Sequence, residues 1–264
     1  MQKIKFKYIY GPVPSWRLGR SLGVDLLSQE DKICNFNCIY CQLGKTPYYT
    51  DERKLYVPTK EIINEINKLP DNIEIDYITF SGRGEPTLAI NLGEAIKAIK
   101  EIREEPVAVL TNAALINRED VRRDLGYADF VVAKLDVSSQ ELLEEINNPS
   151  SEIYFDNIVS GLKKFREEYS GLLGLQIMFI DKNKDYVNES IKLANEILPD
   201  EIQINTPLRP SKTKPLPKIE ILKIKKLFKK ECKNVKVVSV YDDRPYQKVA
   251  PIGDADTIKR RGKA

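Results

Sequence analysis

The sequence predicts an α/β fold built around a parallel β-sheet. Six short apolar segments suit buried strands, apolar residues recur at helical spacing between them, and the length of 264 residues suits one α/β barrel. Apolar residues make up 42% of the chain, which is enough for a sizeable core. Regular alternation of strands and helices is typical of parallel sheets with right-handed crossovers. The six predicted strands are 22–27, 75–80, 107–110, 130–135, 173–180 and 201–205.

Helices are predicted where a capping residue precedes a stretch of regularly spaced apolar residues. Thr59, Asn91 and Asn117 each stand at such a position, and Pro106 ends the helix that Asn91 begins. Further helices are predicted at 139–147, 153–169 and 187–198 from the spacing of their apolar residues.

The N-terminal region is predicted to be a strand followed by a loop. Lysine alternates with apolar residues over 1–10, which is a strand pattern rather than a secretory signal. Gly and Pro residues over 10–20 predict a loop. Because the chain also lacks an apolar run long enough to span a bilayer, we expect a soluble, cytoplasmic protein with no membrane contact.

The charge distribution divides the chain in two. The formal net charge is +3, but residues 210–264 contain 16 Lys and Arg against 6 Asp and Glu, a balance of +10 that leaves −7 for residues 1–209. Prolines at 207, 210, 215 and 217 mark the transition. We therefore predict a core domain at 1–209 and a basic C-terminal extension at 210–264, which contains a helix at 217–231, a strand at 235–241 and a basic tail.

The chain contains no histidine, which excludes several common kinds of site. Ser-His and Cys-His nucleophile pairs and imidazole metal ligands are all ruled out. Any proton transfer must therefore use carboxylates, lysine, tyrosine or bound water.

Three of the four cysteines, Cys34, Cys38 and Cys41, lie within eight positions in the pattern C-x3-C-x2-C. Thiolates grouped in this way bind iron–sulfur clusters or zinc. A structural zinc site would need a fourth ligand such as Cys232, although closed zinc sites usually consist of two Cys or His pairs. Burial in the core is a further alternative for the three cysteines, but it suits their polar neighbours poorly. We expect Cys232 itself to be a lone, half-buried thiol.

The cysteine spacing resembles the signature of the radical S-adenosylmethionine (SAM) enzymes. This resemblance implies a partial (β/α)6 TIM-like barrel over about residues 20–208, with one [4Fe–4S] cluster on Cys34, Cys38 and Cys41. SAM would chelate the remaining iron through its amine and carboxylate. Reductive cleavage of SAM would yield a 5′-deoxyadenosyl radical that abstracts hydrogen from a substrate, with electrons from a flavodoxin- or ferredoxin-type donor.

A second stretch, Ser81-Gly82-Arg83-Gly84-Glu85-Pro86, follows a predicted buried strand. It resembles the Gly-Gly-Glu-Pro motif of radical SAM enzymes, which implies that Gly82, Gly84 and Glu85 bind the amine of SAM. Arg83 separates the two glycines, and we expect its guanidinium to bind a carboxylate or phosphate of the substrate. Alone, the stretch would be a turn with a salt-bridged glutamate.

Polar residues at other strand ends complete the predicted site. By analogy with the family, Asn112, Lys134 and Asp136 hold the carboxylate, amine or ribose of SAM, although capping of the strand ends remains an alternative. Tyr40 precedes the last cysteine, where the family commonly has an aromatic residue near the adenine; loop packing is its alternative role. Gln176 and Asn205 on later strands are further candidates.

The stretch 10–25, the cysteine loop and 204–207 together resemble a radical SAM group related to the tRNA wyosine-synthesis enzymes. The chain has no cysteine before Cys34, so it lacks the second cluster of those enzymes. Three functions remain open: a radical SAM enzyme that modifies RNA such as tRNA, an activase or modifier of a protein or peptide, and a non-catalytic iron–sulfur or zinc module.

The basic extension favours the RNA hypothesis. Its predicted helix would turn Leu216, Ile219, Leu222 and Leu227 towards the barrel, so that its lysines face solvent. Together with Lys259, Arg260, Arg261 and Lys263 in the tail, these lysines would form a phosphate-binding surface beside the active-site rim, with Tyr241 and Tyr246 nearby for base stacking. The alternative is an ordinary solvated surface.

Overall fold

The computed structural model of the protein describes residues 6–243 and 249–252. Its central element is one eight-stranded sheet, and a separate two-stranded sheet lies in the cysteine region. In chain order the strands are β1 (Ile9–Ser15), β2 (Gly19–Val24), β3 (Ile33–Cys34), β4 (Tyr48–Tyr49), β5 (Tyr77–Phe80), β6 (Val107–Thr111), β7 (Phe130–Lys134), β8 (Leu172–Met178), β9 (Glu201–Asn205) and β10 (Lys236–Ser239).

The large sheet has the order β1-β2-β5-β6-β7-β8-β9-β10 and curls into a half-barrel. Its strands from β2 to β10 are all parallel, and β1 pairs antiparallel with β2 at one edge. Each of the six predicted strands overlaps a strand of this sheet, so the predicted α/β half-barrel is confirmed. The parallel strands all end at the same edge, which we call the carboxyl edge.

Helices cover the outer face of the sheet and bury one apolar side each. In α1, for example, Ile62 and Ile66 are buried four positions apart, as expected for one face of a helix. The helices are α1 (Thr59–Ile66), α2 (Leu92–Lys100), α3 (Glu119–Leu125), α4 (Gln140–Leu142), α5 (Phe155–Glu168), α6 (Val187–Ile197) and α7 (Lys218–Glu231). A 3-10 turn occupies Pro86–Leu88, and a π-helical segment, Leu143–Asn147, follows α4 directly.

The loop predicted over residues 10–20 is instead largely a β-hairpin. Pro12 and Pro14 lie in β1, and an edge strand tolerates proline because its outer N–H groups need no partner in the sheet. Leu18, in the hairpin turn, packs with Phe130 and Val132 on the inner side of the sheet. The hairpin therefore fills the amino end of the half-barrel. Of the strand predicted over 1–10, residues 1–5 lie outside the described part of the chain.

The predicted boundary at residue 210 separates two charge patterns, but the sheet continues across it. β10 is hydrogen bonded to β9 along its length, with Lys236 opposite Glu201. α7 starts near the carboxyl edge, where the Leu216 amide donates to Thr206 Oγ1, and it ends near the amino edge, where β10 begins. Lysines at the end of α7 therefore lie away from the active-site rim, and the prediction that they lie beside it is wrong.

Of the four residues predicted to form the buried face of α7, Leu216 is buried, but the other three are not. Ile219, Leu222 and Leu227 are exposed, and Ile221, Ile224 and Phe228 are buried instead. Both sets have apolar residues near helical spacing, so the sequence pattern alone could not separate them. Tyr246 and the tail residues Lys259, Arg260, Arg261 and Lys263 lie outside the described residues. Over the described residues, the structure contains no helix with the length and apolarity needed to cross a membrane.

Candidate active site

A cavity of about 460 Å³ opens at the carboxyl edge and extends into the concave side of the half-barrel. Carboxyl ends of strands are where α/β barrels place their active sites, and the volume suits a small-molecule ligand. Most of the residues predicted from the sequence line this one cavity: Cys34, Cys38, Tyr40, Cys41, Gly84, Glu85, Asn112, Lys134, Gln176 and Asn205.

One side of the cysteine loop is held by the end of the π-helical segment. The amide of Asn37 donates to the carbonyl oxygens of Asn147 and Asn148, at 2.9 and 3.0 Å. The amide of Ile39 donates to the Ile146 carbonyl at 2.9 Å. Backbone contacts between segments more than 100 positions apart in the chain therefore set the path of the loop on both sides of Cys38.

The other side of the cysteine loop is held by the glycine motif. The Ile33 amide donates to the Arg83 carbonyl and the Ile33 carbonyl accepts from the Glu85 amide, both at 3.0 Å. Between these bonds, a Cβ atom on Gly84 would lie 1.6 Å from the Ile33 carbonyl oxygen. Glycine is therefore required at position 84 for the close approach of two backbone segments, because any side chain would separate them.

Each of the three clustered thiols faces at least one N–H donor. The Phe36 amide lies 3.4 Å from Cys34 Sγ, Asn147 Nδ2 lies 3.4 Å from Cys38 Sγ, and Lys32 Nζ lies 3.3 Å from Cys41 Sγ. Such donors stabilise metal-bound thiolates and tune the potential of iron–sulfur clusters. Lys32 and Phe36 belong to the cysteine region, and Asn147 belongs to the π-helical segment.

Burial raises the pKa of the Cys34 thiol to about 12 and also raises the pKa of the Cys38 thiol. Without a cation, both groups would hold their protons at neutral pH. A bound metal ion would supply the positive charge that favours the thiolate form. The burial and the donors together fit a metal cluster better than they fit free thiols.

Cys232 takes no part in this site, which removes the fourth ligand of the zinc alternative. It is 2% exposed in the core at the end of α7, so it is fully buried rather than half-buried as expected. Among the described residues, no group of three or more His, Cys, Asp and Glu side chains is placed to bind a single metal ion. Three thiols without a fourth protein ligand fit a four-iron cluster that keeps one iron open.

Tyr40, Lys134, Asp136 and Asn147 form a buried polar network beside the thiols. Lys134 Nζ lies 2.8 Å from Tyr40 Oη and 3.5 Å from Asp136 Oδ2, and the Tyr40 hydroxyl donates to Asp136. Burial alone would lower the pKa of Lys134, but the charges of Asp136 and nearby thiolates outweigh burial and raise it. Lys134 therefore remains a cation that faces the cavity, while Asp136 lies behind it.

Glu85 is fully engaged by its own chain. Its carboxylate accepts from Thr111 Oγ1 and the Asn112 amide, both at 2.6 Å, and from the amide and hydroxyl of Thr87. Burial raises the pKa of Glu85, and these hydrogen bonds oppose that shift. The same bonds fix Asn112, whose Nδ2 donates to Asn35 Oδ1 at 2.7 Å. Glu85 thus links the ends of β5 and β6 to the cysteine region.

Gly82, Arg83 and Asp136 are the predicted site residues that do not line the cavity. Gly82 packs against Asp25, where a Cβ atom would lie 2.2 Å from the carboxyl carbon. Arg83 Nη1 donates to the Gln29 carbonyl at 2.6 Å. Of the glycine motif, only Gly84 and Glu85 therefore line the cavity.

The structure adds cavity residues that the sequence analysis assigned no role. Lys32 lies beside the thiols, and Trp16, Arg17 and Arg209 line the part formed by the hairpin and the segment after β9. Asn147 also had no assigned role. These residues became recognisable only once the fold brought distant segments together, although a lysine two residues before the first cysteine was a usable local signal.

The comparisons with known proteins agree with this geometry. The sequence profile of the radical SAM superfamily matches residues 32–194. A UPF0026 protein of Synechocystis sp. is 41% identical over 206 residues, which cover 78% of this chain and 77% of that protein. Among solved structures, Streptococcus suis SuiB bound to S-adenosylmethionine superposes with a TM-score of 0.61 at 15% identity, over 82% of this chain and 46% of SuiB. Archaeal TYW1 gives 0.56 at 16% identity, over 88% of this chain and 78% of TYW1.

The chain is therefore a radical SAM enzyme and belongs to the radical SAM superfamily, which confirms the resemblance drawn from the cysteine spacing. Within that superfamily it belongs with the UPF0026 proteins.

Gly84→Ala tests whether the contact between the two backbone segments positions the thiols. The added methyl group overlaps the Ile33 carbonyl. We therefore expect the free energy of unfolding to fall by about 1–3 kcal/mol, with a lower melting temperature. We also expect a reduced iron content after anaerobic reconstitution. Gly126→Ala is the matched control, because its Cβ atom would meet its nearest neighbour at 3.3 Å. Wild-type iron content and stability in Gly84→Ala would show that the contact is dispensable.

Proposed function

We propose that Cys34, Cys38 and Cys41 bind one [4Fe–4S] cluster and that the adjoining cavity binds SAM. The observation that carries this proposal is the set of three thiols that line a single cavity, each facing an N–H donor and without a fourth protein ligand among the described residues. When bound, the cluster and SAM supply a 5′-deoxyadenosyl radical that removes hydrogen from a substrate. A flavodoxin- or ferredoxin-type protein serves as the electron donor.

The chain's own residues hold and orient these groups. Lys134 provides a fixed cation for the carboxylate of SAM, because Asp136 and Tyr40 restrain its ammonium group. Asn112 offers an amide beside Cys34 for the other polar groups of SAM. Glu85 acts through Asn112, since four donors from the chain already occupy its carboxylate. It is therefore a positioning residue in this proposal.

Substitution of the cysteines tests the cluster assignment. Anaerobically reconstituted wild-type protein should contain about four irons and four sulfides and should convert SAM to methionine and 5′-deoxyadenosine when reduced. Cys34→Ala, Cys38→Ala and Cys41→Ala should each lose both properties, and Cys232→Ala is the control that keeps the cluster. Tightly bound zinc without iron, or equal loss in Cys232→Ala, would contradict the assignment.

We further propose RNA, such as tRNA, as the substrate. Arg17 and Arg209 are among the cations that line the cavity. The sequence beyond segment 249–252 adds the basic residues Lys259, Arg260, Arg261 and Lys263. These features favour a polyanion over a neutral peptide, because phosphate groups can be neutralised by Lys and Arg at several points.

A tRNA titration at several salt concentrations tests this substrate. With about four to six phosphate contacts, log affinity should fall with log salt at a slope of about −3 to −5. Changing Lys259, Arg260, Arg261 and Lys263 to Ala should reduce the magnitude of that slope by about 3.

The matched control changes Lys223, Lys226, Lys229 and Lys230 of α7 to Ala. It removes the same charge from a helix that ends at the amino edge, so the slope should change little. The RNA proposal fails if wild-type protein does not bind tRNA at low salt or if the tail variant keeps the full slope. A protein or peptide substrate would then be favoured.

A further inference from the structure

The segment that follows β9 lies directly on the cysteine loop. Arg209 Nη1 donates to Gln42 Oε1 at 2.7 Å, and Gln42 is the residue after Cys41. Thr213 Oγ1 donates to the Ile39 carbonyl at 3.2 Å, and the Leu216 amide closes the segment onto Thr206. These bonds hold the Arg209 side chain in the wall of the cavity rather than in open solvent.

Arg209 carries a charge that no carboxylate of the described residues neutralises. Its side chain is partly buried, and burial lowers its pKa. Among the described residues, no carboxylate lies within ion-pair distance of its guanidinium, and the bond to Gln42 uses one of five N–H donors. A guanidinium that is partly removed from water is costly unless an anion completes its hydrogen bonds.

The surroundings of Arg209 suit an anion as well. Among the described residues that line the cavity, Glu85 is the one acidic side chain, and its oxygens are engaged elsewhere. Arg17 lines the cavity with its guanidinium 5.1 Å from the centre of the Trp16 ring. Lys32 and Lys134 stand on the thiol side. Among the described residues, four cations and a single acidic side chain therefore line the cavity.

We propose that Arg209 binds an oxyanion of the substrate, and that this oxyanion is a phosphate. The proposal rests on the function proposed above, because it places the substrate in the same cavity and names the group by which it is held. Guanidinium pairs with phosphate through two parallel hydrogen bonds, which fixes orientation as well as distance. Because Gln42 holds Arg209, the phosphate contact also fixes the substrate relative to the cysteine loop.

Trp16 provides a local reporter, since it is the single tryptophan of the chain and lines the same cavity. Inorganic phosphate is titrated into the reconstituted protein, with and without saturating SAM, while tryptophan fluorescence is followed. We expect a saturable change in both conditions. Arg209→Gln should weaken phosphate binding at least about tenfold, because a charge-assisted bidentate contact is lost, and Arg209→Lys should weaken it less.

Lys212→Gln is the matched control, because it removes one positive charge from an exposed position of the same segment. It should bind phosphate as the wild type does. If thermal unfolding shows that Arg209→Gln is not folded, Gln42→Ala replaces it. Because Gln42 holds Arg209, its loss should also weaken phosphate binding.

Several outcomes would overturn the proposal. Equal phosphate affinity in Arg209→Gln and wild type would exclude Arg209, and equal weakening in Lys212→Gln would show a general charge effect. Loss of the phosphate response in saturating SAM would assign Arg209 to the carboxylate of SAM, and stronger binding of acetate than of phosphate would assign it to a substrate carboxylate. Absence of SAM cleavage would contradict the proposed function but not this contact, so the two failures are distinguishable.

Discussion

The position of the cysteine loop depends on backbone hydrogen bonds to two other parts of the chain. Apart from the two residues of β3, the loop has no regular structure through which it could hold the three thiols in place. The π-helical segment holds it on one side and the glycine motif on the other. Because these backbone bonds leave little freedom of position, they restrain the backbone that carries the three thiols.

Among the described residues, the cavity is lined by four cations and one acidic side chain. Beside the thiols, Lys32 and Lys134 offset negative sulfur and a buried carboxylate. Arg17 and Arg209 also line the cavity, and its one acidic side chain among the described residues, Glu85, accepts four hydrogen bonds from its own chain. Under the proposed function, this one cavity binds both SAM and the substrate. Such an arrangement aims a radical at the substrate while the surrounding wall excludes water.

Much of the fold was predictable because buried strands and amphipathic helices carry local patterns. The three cysteines and the second half of the glycine motif were predictable for the same reason, since their spacing is itself the signal. β1 was missed because proline and glycine usually indicate loops, and its place at the sheet edge is a tertiary property. Asn147 and Arg209 contact the cysteine loop across 109 and 167 positions, and no local pattern encodes such pairs.

The most direct test of the account is electron paramagnetic resonance of the reduced, reconstituted protein with and without SAM. If three thiols bind a four-iron cluster with one open iron, the reduced protein should give a cluster signal that shifts when SAM is added, because a new ligand changes the environment of that iron. Identical spectra at SAM concentrations that saturate binding would contradict an open iron in this cavity.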